Sequence, residues 1–479
     1  IYLEVLKEPF GQFAAKFIGT LLYNSLKYNR RETRDNLEYL IGECEKDIPE
    51  TVASIRNIMK LIEKGGNDNA YSELFNLSSI LKKETGKPCV IILDEFHNLS
   101  SLGIKDPFKY FGKKIMAQKD TMYIVASSEV TSMQKILSEK LALLFGNFEK
   151  ITLSGFNYET SRAFLRKKLP SVKINDELMD FIISFADGHP FYLDAISSKI
   201  NELMGNLHFR MLTVSMAGKV LEELLFDSRG TLNQFFINLL RDLIDPGTGS
   251  CKETLIAIAH GLFKQREISK WTGCNNKVIS AHLKILPEKN LIYASGGVYR
   301  FYDKVLKFWL KKVYHKRRRT LVDNIAEKAG NFRNGVIDMI KQFIDESMTD
   351  AAVRVKGLLE SFNNEIVEID TKKHRLTRFD KVGIIEENEK KYIIGYYKTK
   401  LYLVYISGKK IGENEILDFL GISLKYKPNL QRRIILSLGG IDMNAMLMAK
   451  ETKTWIWGIE TTNDLLDLFG KQKIIRVKE

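Results

Sequence analysis

Residues 89–99 read CVIILDEFHNL, Cys89 to Leu99, and the fold is decided there. Val90, Ile91, Ile92 and Leu93 are continuously apolar, with no polar residue alternating among them. A strand written this way is buried on both faces, as in a parallel sheet covered by helices, whereas a half-exposed strand alternates. The run ends in Asp94-Glu95 and then Phe96-His97. Ligands of doubly wound sheets bind beyond the carboxyl ends of the strands, so both carboxylates are delivered to a binding edge. There Asp94 is suited to hold Mg2+, often through water, and Glu95 to polarise an attacking water. The plain alternative is a buried strand that happens to end in an acidic turn.

Working outward, short apolar runs alternate with amphipathic helices over residues 1–156. IYLEVL (1–6) precedes a helical pattern in FAAKFIGTLLYNSL (13–26), where apolar residues recur every three or four positions. YSELFNLSSILKKETG (71–86) is a second helix, stopped by Gly86 and Lys87-Pro88. TMYIVASSEV (121–130) and FEKITLSGF (148–156) are expected as further strands, which predicts a parallel sheet covered on both faces. From Asn157 to about Asp227 the pattern is wholly helical. Residues 231–310 carry short helices and then a hairpin, YASGGVYRF, with Gly296-Gly297 at its tip. After the basic run KKVYHKRRR (311–319), strands and helices alternate again to the end. The expected domains are thus 1–156, 157–230, 231–320 and 321–479, with no internal repeat.

Composition narrows the class. With 44% hydrophobic and 28% charged residues the chain reads as globular, and no stretch approaches the roughly 20 apolar residues of a membrane helix. Cys44, Cys89, Cys251 and Cys274 stand singly, without a Cys-x-x-Cys pair, which points away from disulfides or zinc and towards a reducing, cytoplasmic setting. Lys plus Arg number 73 and Asp plus Glu 59, a net charge of +14 that favours a polyanionic partner. Richness in Lys, Ile and Asn accounts for part of that total, so the location of the charge matters more than its sum.

Five pieces, taken in order, resemble one family. IYLEVLKEPFGQFAAKF is similar to its second core strand and following helix, and VIILDEFHNL to its Walker B strand. IVASSEVTSMQKIL is similar to its sensor strand, LLFGNFEKITLSGFNYETSRAFL to its passage into a helical lid, and GHPFYL to its lid turn. The family is the archaeal DEXX-box ATPases, of the signal-transduction (STAND) branch of AAA+-like proteins. The resemblance implies an α/β fold: a P-loop AAA+-like parallel-sheet core, a helical lid, a winged helix-turn-helix, and a C-terminal α/β restriction-endonuclease-like domain. It implies ATP and Mg2+ as cofactors, with Asp94 as metal ligand and Glu95 as catalytic base. Ser127 and Ser128 would sense the γ-phosphate, and His189 and Pro190 would face the nucleotide from the lid turn, although a plain helix–helix connection explains that turn equally well. The family's Gly-rich Walker A loop lies just before its second strand; these 479 residues contain no such loop and open on Ile1 within the strand-like run, so the loop is expected ahead of Ile1. Relatives commonly carry an arginine where Asn147 follows Gly146, and its absence here points to slow hydrolysis or to an arginine supplied elsewhere, which fits a switch better than a motor. The Asp-Glu-Phe-His run also matches the DExH signature of helicases, but no arginine-rich late motif accompanies it.

In the middle helices, REISKWTG and NKVISAHLKILPEKNLI form a helix-turn-helix pattern. A recognition helix there would place Asn276, Lys277, Ser280, His282 and Lys284 on or near its polar face, despite Glu288. Arg300 on the wing and Lys316, Arg317, Arg318 and Arg319 could meet phosphates, so DNA is the expected partner. Winged helices also join proteins, so a protein partner or self-assembly stays open, and a basic run is commonly just a solvated face. In the last domain Asp380 and Lys398 occupy two positions of a Mg2+-dependent nuclease site, but the middle carboxylate position holds Tyr396. A phenol does not replace a metal-binding carboxylate, so a degenerate nuclease fold is expected. Three readings follow: an ATP-dependent switch acting on DNA or on an assembly, a non-catalytic DNA-binding or scaffold protein with a vestigial nucleotide site, and a Mg2+-dependent nuclease.

Overall fold

A computed structural model describes residues 1–31, 33–142, 148–207, 211–241, 243–245, 249–319, 324–369, 372–387 and 390–475. The chain divides into two compact units, Ile1–Thr152 with Glu288–Asn290, and Leu153–Pro287 with Leu291–Glu479.

In the first unit β1 (Tyr2–Glu4), β2 (Cys89–Asp94) and β3 (Thr121–Val125) form a parallel sheet with β2 in the centre. Register pairs Tyr2 with Ile92 and Val90 with Met122. Leu3, Ile91 and Leu93 share one face and are buried in a core with Phe10, Phe13 and Phe17. Those phenylalanines come from the helix Phe10–Tyr28, whose buried positions recur at the helical spacing read in the sequence. Phe75 stands at the core's centre, edge-on to Phe17 and Phe111 at 5.5 and 5.3 Å between centroids. The helix Leu77–Thr85 ends on Gly86 in the left-handed conformation, as the Gly-Lys-Pro signal requires.

Two expectations fail here. The opposite sheet face is open: Tyr2, Val90, Met122 and Ile124 are 58%, 44%, 62% and 41% exposed. FEKITLSGF forms no strand, and its Ile151 and Leu153 are 78% and 93% exposed. A strand persists only where a neighbour satisfies its backbone donors and acceptors, and no partner strand for this segment exists among the described residues. Apolar alternation without a partner edge yields an extended, uncovered segment.

The second unit begins with helices at Tyr158–Lys168, Asp176–Ala186, Pro190–Leu207 and Val214–Leu221. The Asn157 and Asn175 side chains accept from the Thr160 and Leu178 amides at 2.8 and 3.0 Å, which caps the first two. Helices Lys252–Ala259, Gln265–Thr272 and Asn276–Glu288 lead into the antiparallel hairpin Ile292–Ser295 and Val298–Phe301. A helical run then passes through Lys304–Trp309, Leu310–Tyr314 and His315–Arg319, followed by the long helix Ile325–Ser347. Trp309 is buried against Phe236, its indole donating to Asn233 Oδ1 at 3.0 Å.

The C-terminal part is a five-stranded sheet in the order Lys381–Glu387, Lys390–Tyr397, Lys400–Ser407, Leu430–Ser437, Thr454–Gly458. The first three strands are antiparallel neighbours, and the last two run parallel to the third. Both faces are covered, one core holding Ile393, Val404 and Ile434, the other Ile394, Leu403 and Ile435. Continuous apolar runs such as YLVYI (402–406) are written for that double burial.

Candidate functional site

Asp94 ends β2, and its carboxylate is held on both sides. Oδ1 accepts from the Glu95 amide and Oδ2 from the Tyr2 hydroxyl, each at 2.9 Å. That hydrogen bond, and then the Asp94 charge, push the Tyr2 phenol above its usual value. Glu95 adopts φ +49°, ψ +41°, a left-handed conformation that L side chains avoid. The turn redirects the chain into the short helix Phe96–Ser101 and seats Phe96 against Phe108 and Phe111, at 5.4 and 5.0 Å. Buried aromatic packing of this kind can offset about 1–2 kcal/mol of backbone strain.

The bend aims Glu95 across the sheet edge at the end of β3. Its Oε2 accepts from the Ser128 hydroxyl at 2.9 Å and the Ser128 amide at 3.3 Å. His97 Nδ1 lies 2.9 Å from Ser127 Oγ and 3.3 Å from Glu95 Oε2, while its Nε2 lies 3.4 Å from Glu129 Oε1. The structure thus brings Asp94, Glu95, Ser127 and Ser128 together at one carboxyl edge. Sequence reasoning assigned no role to Tyr2, His97 or Glu129. His97 and Glu129 flank the motif residues directly and were legible as polar neighbours; Tyr2 reaches Asp94 only through the β1–β2 register.

The donor set fits a hydrated Mg2+. Carboxylate and hydroxyl oxygens are the hard ligands that ion prefers, and each Asp94 oxygen, having accepted one hydrogen bond, keeps acceptor capacity for a metal-bound water. Asp94 is the residue placed to hold such an ion through its waters, with the Glu95 carboxylate beside it.

His189 and Pro190 belong to the second unit. Gly188 has φ +68°, and a Cβ there would fall 2.1 Å from the Phe156 carbonyl, so only glycine fits the turn. Pro190 opens the helix Pro190–Leu207, and the exposed His189 ring lies 4.7 Å from Tyr192. The departure at Asn147 lies outside the described residues.

On the helix Asn276–Glu288, Asn276, Lys277 and Lys284 are exposed and Ser280 is half-buried, opposite the buried Ile279, Leu283 and Leu286. His282 does not belong with them. It is buried, its Nδ1 2.8 Å from Thr254 Oγ1, because it falls on the apolar side of the helix between Ile279 and Leu286. The hairpin expected as a wing is also tied to its own chain. The Gly297 amide donates to the Ile366 carbonyl at 2.8 Å, and Arg300 donates to the Asp464 carbonyl. Within the basic run, Arg317 donates to the Phe226 carbonyl and stacks on that ring at 4.7 Å, and Arg318 pairs with Glu253. Burial holds the Arg317 guanidinium below its ordinary value. Lys316 is exposed, and the Arg319 side chain lies outside the described residues. Three of the expected phosphate contacts, Arg300, Arg317 and Arg318, therefore serve internal bonds.

Asp380 and Lys398 are neighbours through backbone. Asp380 Oδ2 accepts from the Lys398 amide at 2.8 Å, and the Asp380 amide donates to the Tyr396 carbonyl at 2.7 Å. Lys398 has φ +53°, so the carboxylate caps the strained turn, while the Lys398 ammonium lies 5.6 Å from the Tyr397 ring centre.

No family model and no curated protein matches the chain. Among solved structures it is similar to a Walker-type ATPase of Pyrococcus abyssi, at 19% identity and a TM-score of 0.38 over 50% of this chain and 67% of that one. It is similar to the ORC2 protein of Aeropyrum pernix, solved in ADPNP and ADP complexes, at 13% identity and a TM-score of 0.35 over 70% and 78%. It is also similar to the RuvB Holliday junction branch migration motor of Thermotoga maritima, at 13% identity and a TM-score of 0.28 over 63% and 95%.

Proposed function

We propose that the chain belongs to an ATP-dependent switch of the AAA+-like kind, in the manner of the DEXX-box STAND proteins its sequence resembles. One observation carries this: Asp94 and Glu95 share the carboxyl edge of a parallel sheet with Ser127 and Ser128, and Ser128 holds the Glu95 carboxylate. In this reading Asp94 holds the nucleotide's Mg2+ and Glu95 positions water for hydrolysis. Residues 157–230 would act as lid, 231–320 as winged helix and 321–479 as a retired nuclease fold. His189 and Pro190 would meet the nucleotide from the lid turn.

The output is binding of DNA or of a partner copy through the exposed face of Asn276, Lys277, Ser280 and Lys284, with Lys316 nearby in the chain's basic run. The nuclease reading is the weaker one because Tyr396 stands where that site needs its second carboxylate.

The test is ATP–Mg2+ thermal shift and ATP hydrolysis on the full-length gene product. Glu95→Gln is expected to keep the shift while slowing hydrolysis by about 10²–10³-fold; Asp94→Ala is expected to weaken the shift itself. No shift and no hydrolysis would leave the scaffold reading in place. DNA binding measured across salt should lose about two from its log–log slope in Lys277→Glu with Lys284→Glu; an unchanged slope would remove that face from the account.

A further inference from the structure

A cavity of about 390 Å³ lies within the second unit, among the helix Asp176–Ala186, the run Lys304–Tyr314, the helix Ile325–Ser347 and the segment Gly470–Lys473. Six lysines line it, Lys304, Lys307, Lys311, Lys312, Lys471 and Lys473, against two carboxylates, Glu346 and Asp467. Its apolar wall includes the half-buried Phe185 and Phe308, edge-on at 5.3 Å, with Met339 beside them. Ser184 and Gln342 add neutral hydrogen-bonding groups.

The lysines divide into two sets. Lys304 and Lys473 share Asp187 Oδ1, at 3.2 and 2.6 Å, and Lys304 lies 3.8 Å from Asp467. Their charge is answered within the protein. Lys307, Lys311, Lys312 and Lys471 have no ion-pair partner among the described residues. Burial, and then repulsion from Lys316 and Lys311, hold the Lys312 ammonium below its ordinary value. Lys307 and Lys471 are half-buried and Lys311 and Lys312 exposed, so their charge faces the cavity's solvent, where an anion with a flat apolar body would meet both the ammoniums and the aromatic wall. The volume lies within the range of small-molecule sites, and a rise of about 6 Å from Lys307 to Lys311 along one helix face suits two linked phosphates.

We propose that this cavity binds a nucleoside diphosphate or its close relatives, base against Phe185 and Phe308, phosphates on Lys307, Lys311, Lys312 and Lys471. It is a second site, independent of Asp94 and of Mg2+. Because its walls come from the lid helices, the post-wing helical run and the C-terminal segment, an occupant would tie those elements together.

The experiment is calorimetric titration of the 479-residue chain with ADP in EDTA, beside pyrophosphate and a single-stranded oligonucleotide as competitors. ADP should bind in the cavity without Mg2+, and Lys307→Glu with Lys311→Glu should weaken it by about tenfold or more. Phe185→Leu should weaken ADP and spare pyrophosphate. If the charge reversals lower the melting temperature, Lys307→Ser with Lys311→Ser should show the same loss. ADP affinity unmoved by either lysine pair, or no binding at millimolar ADP, overturns the proposal. So does pyrophosphate binding as tightly as ADP, or an oligonucleotide displacing it at lower concentration.

Discussion

Glu95 sits where backbone preference and side-chain chemistry disagree. A left-handed glutamate at the end of a core strand is tolerated because Phe96 must turn inward, and the result is a carboxylate aimed along the sheet edge. There it is occupied by two donors from Ser128 and neighboured by His97. Both bonds fall on Oε2, so Oε1 keeps its acceptor capacity for a water while Ser128 fixes the direction of the carboxylate. Ser128→Ala removes one hydrogen bond worth about 1 kcal/mol. Its expected effect is a fall of about fivefold in kcat for ATP at unchanged KM, read by steady-state hydrolysis. A rise in kcat would instead mean that Ser128 restrains the base. His282 makes the opposite case at this scale. Its side chain hydrogen-bonds Thr254 in the core, so His282→Ala should cost about 2–4 kcal/mol in urea denaturation and leave the salt slope of DNA binding untouched. The DEFH stretch showed where the carboxylates lie; which neighbours hold them depends on β2–β3 register, which no local pattern encodes. His282 was misread because a histidine on a mixed helix looks polar until its angular position between Ile279 and Leu286 is counted.

At the scale of the element, periodicity was a good guide wherever an element carries its own partner. Helix caps at Asn157 and Asn175, the Gly86 stop and the hairpin around Gly296 are local chemistry, and they stand as the sequence implies. Gly296 has φ +66°, and a Cβ there would fall 2.3 Å from the Ile366 carbonyl, so that turn is written for glycine twice over. The three-stranded sheet is different. FEKITLSGF alternates like a strand and is none, since a strand is a property of a pair. Likewise the double burial read from CVIILD is met on one face only, with Met122 and Ile124 left in solvent. An open apolar sheet face is a self-association surface. In the 479-residue chain, Met122→Glu with Ile124→Lys should therefore reduce concentration-dependent association in analytical ultracentrifugation without lowering the melting temperature. Association unchanged by the two substitutions would remove this face as the surface through which copies meet.

Over the whole molecule, a net charge of +14 pointed to a polyanion, yet much of that charge is spent inside the fold. Arg300, Arg317 and Arg318 bind carbonyls or a carboxylate, and Lys304 and Lys473 converge on Asp187. Charge counting cannot separate such ties from a binding face, because the partners lie 65 to 286 residues away in sequence. The Asp187 cluster joins three distant segments of the second unit, and its titration tests whether the tie matters. Burial alone would raise the Asp187 carboxyl, but Lys304 and then Lys473 outweigh it and hold the group below its ordinary value. A carboxyl lowered in the folded state favours folding at any pH above its unfolded value of about 4, and that contribution is lost as pH falls through the folded value. Asp350, lowered by its hydrogen bond to Lys391, works in the same direction. Stability should thus decline on acidification below about pH 4, and Asp187→Asn should shrink that acid-dependent part. The same substitution leaves Lys304 and Lys473 repelling each other, so at pH 7 it should cost about 1–3 kcal/mol. Urea midpoints at pH 7 and pH 3 measure both effects on one protein. An Asp187→Asn variant with wild-type midpoints at both values would show that the lysines find other partners, and that the three segments are held by packing alone.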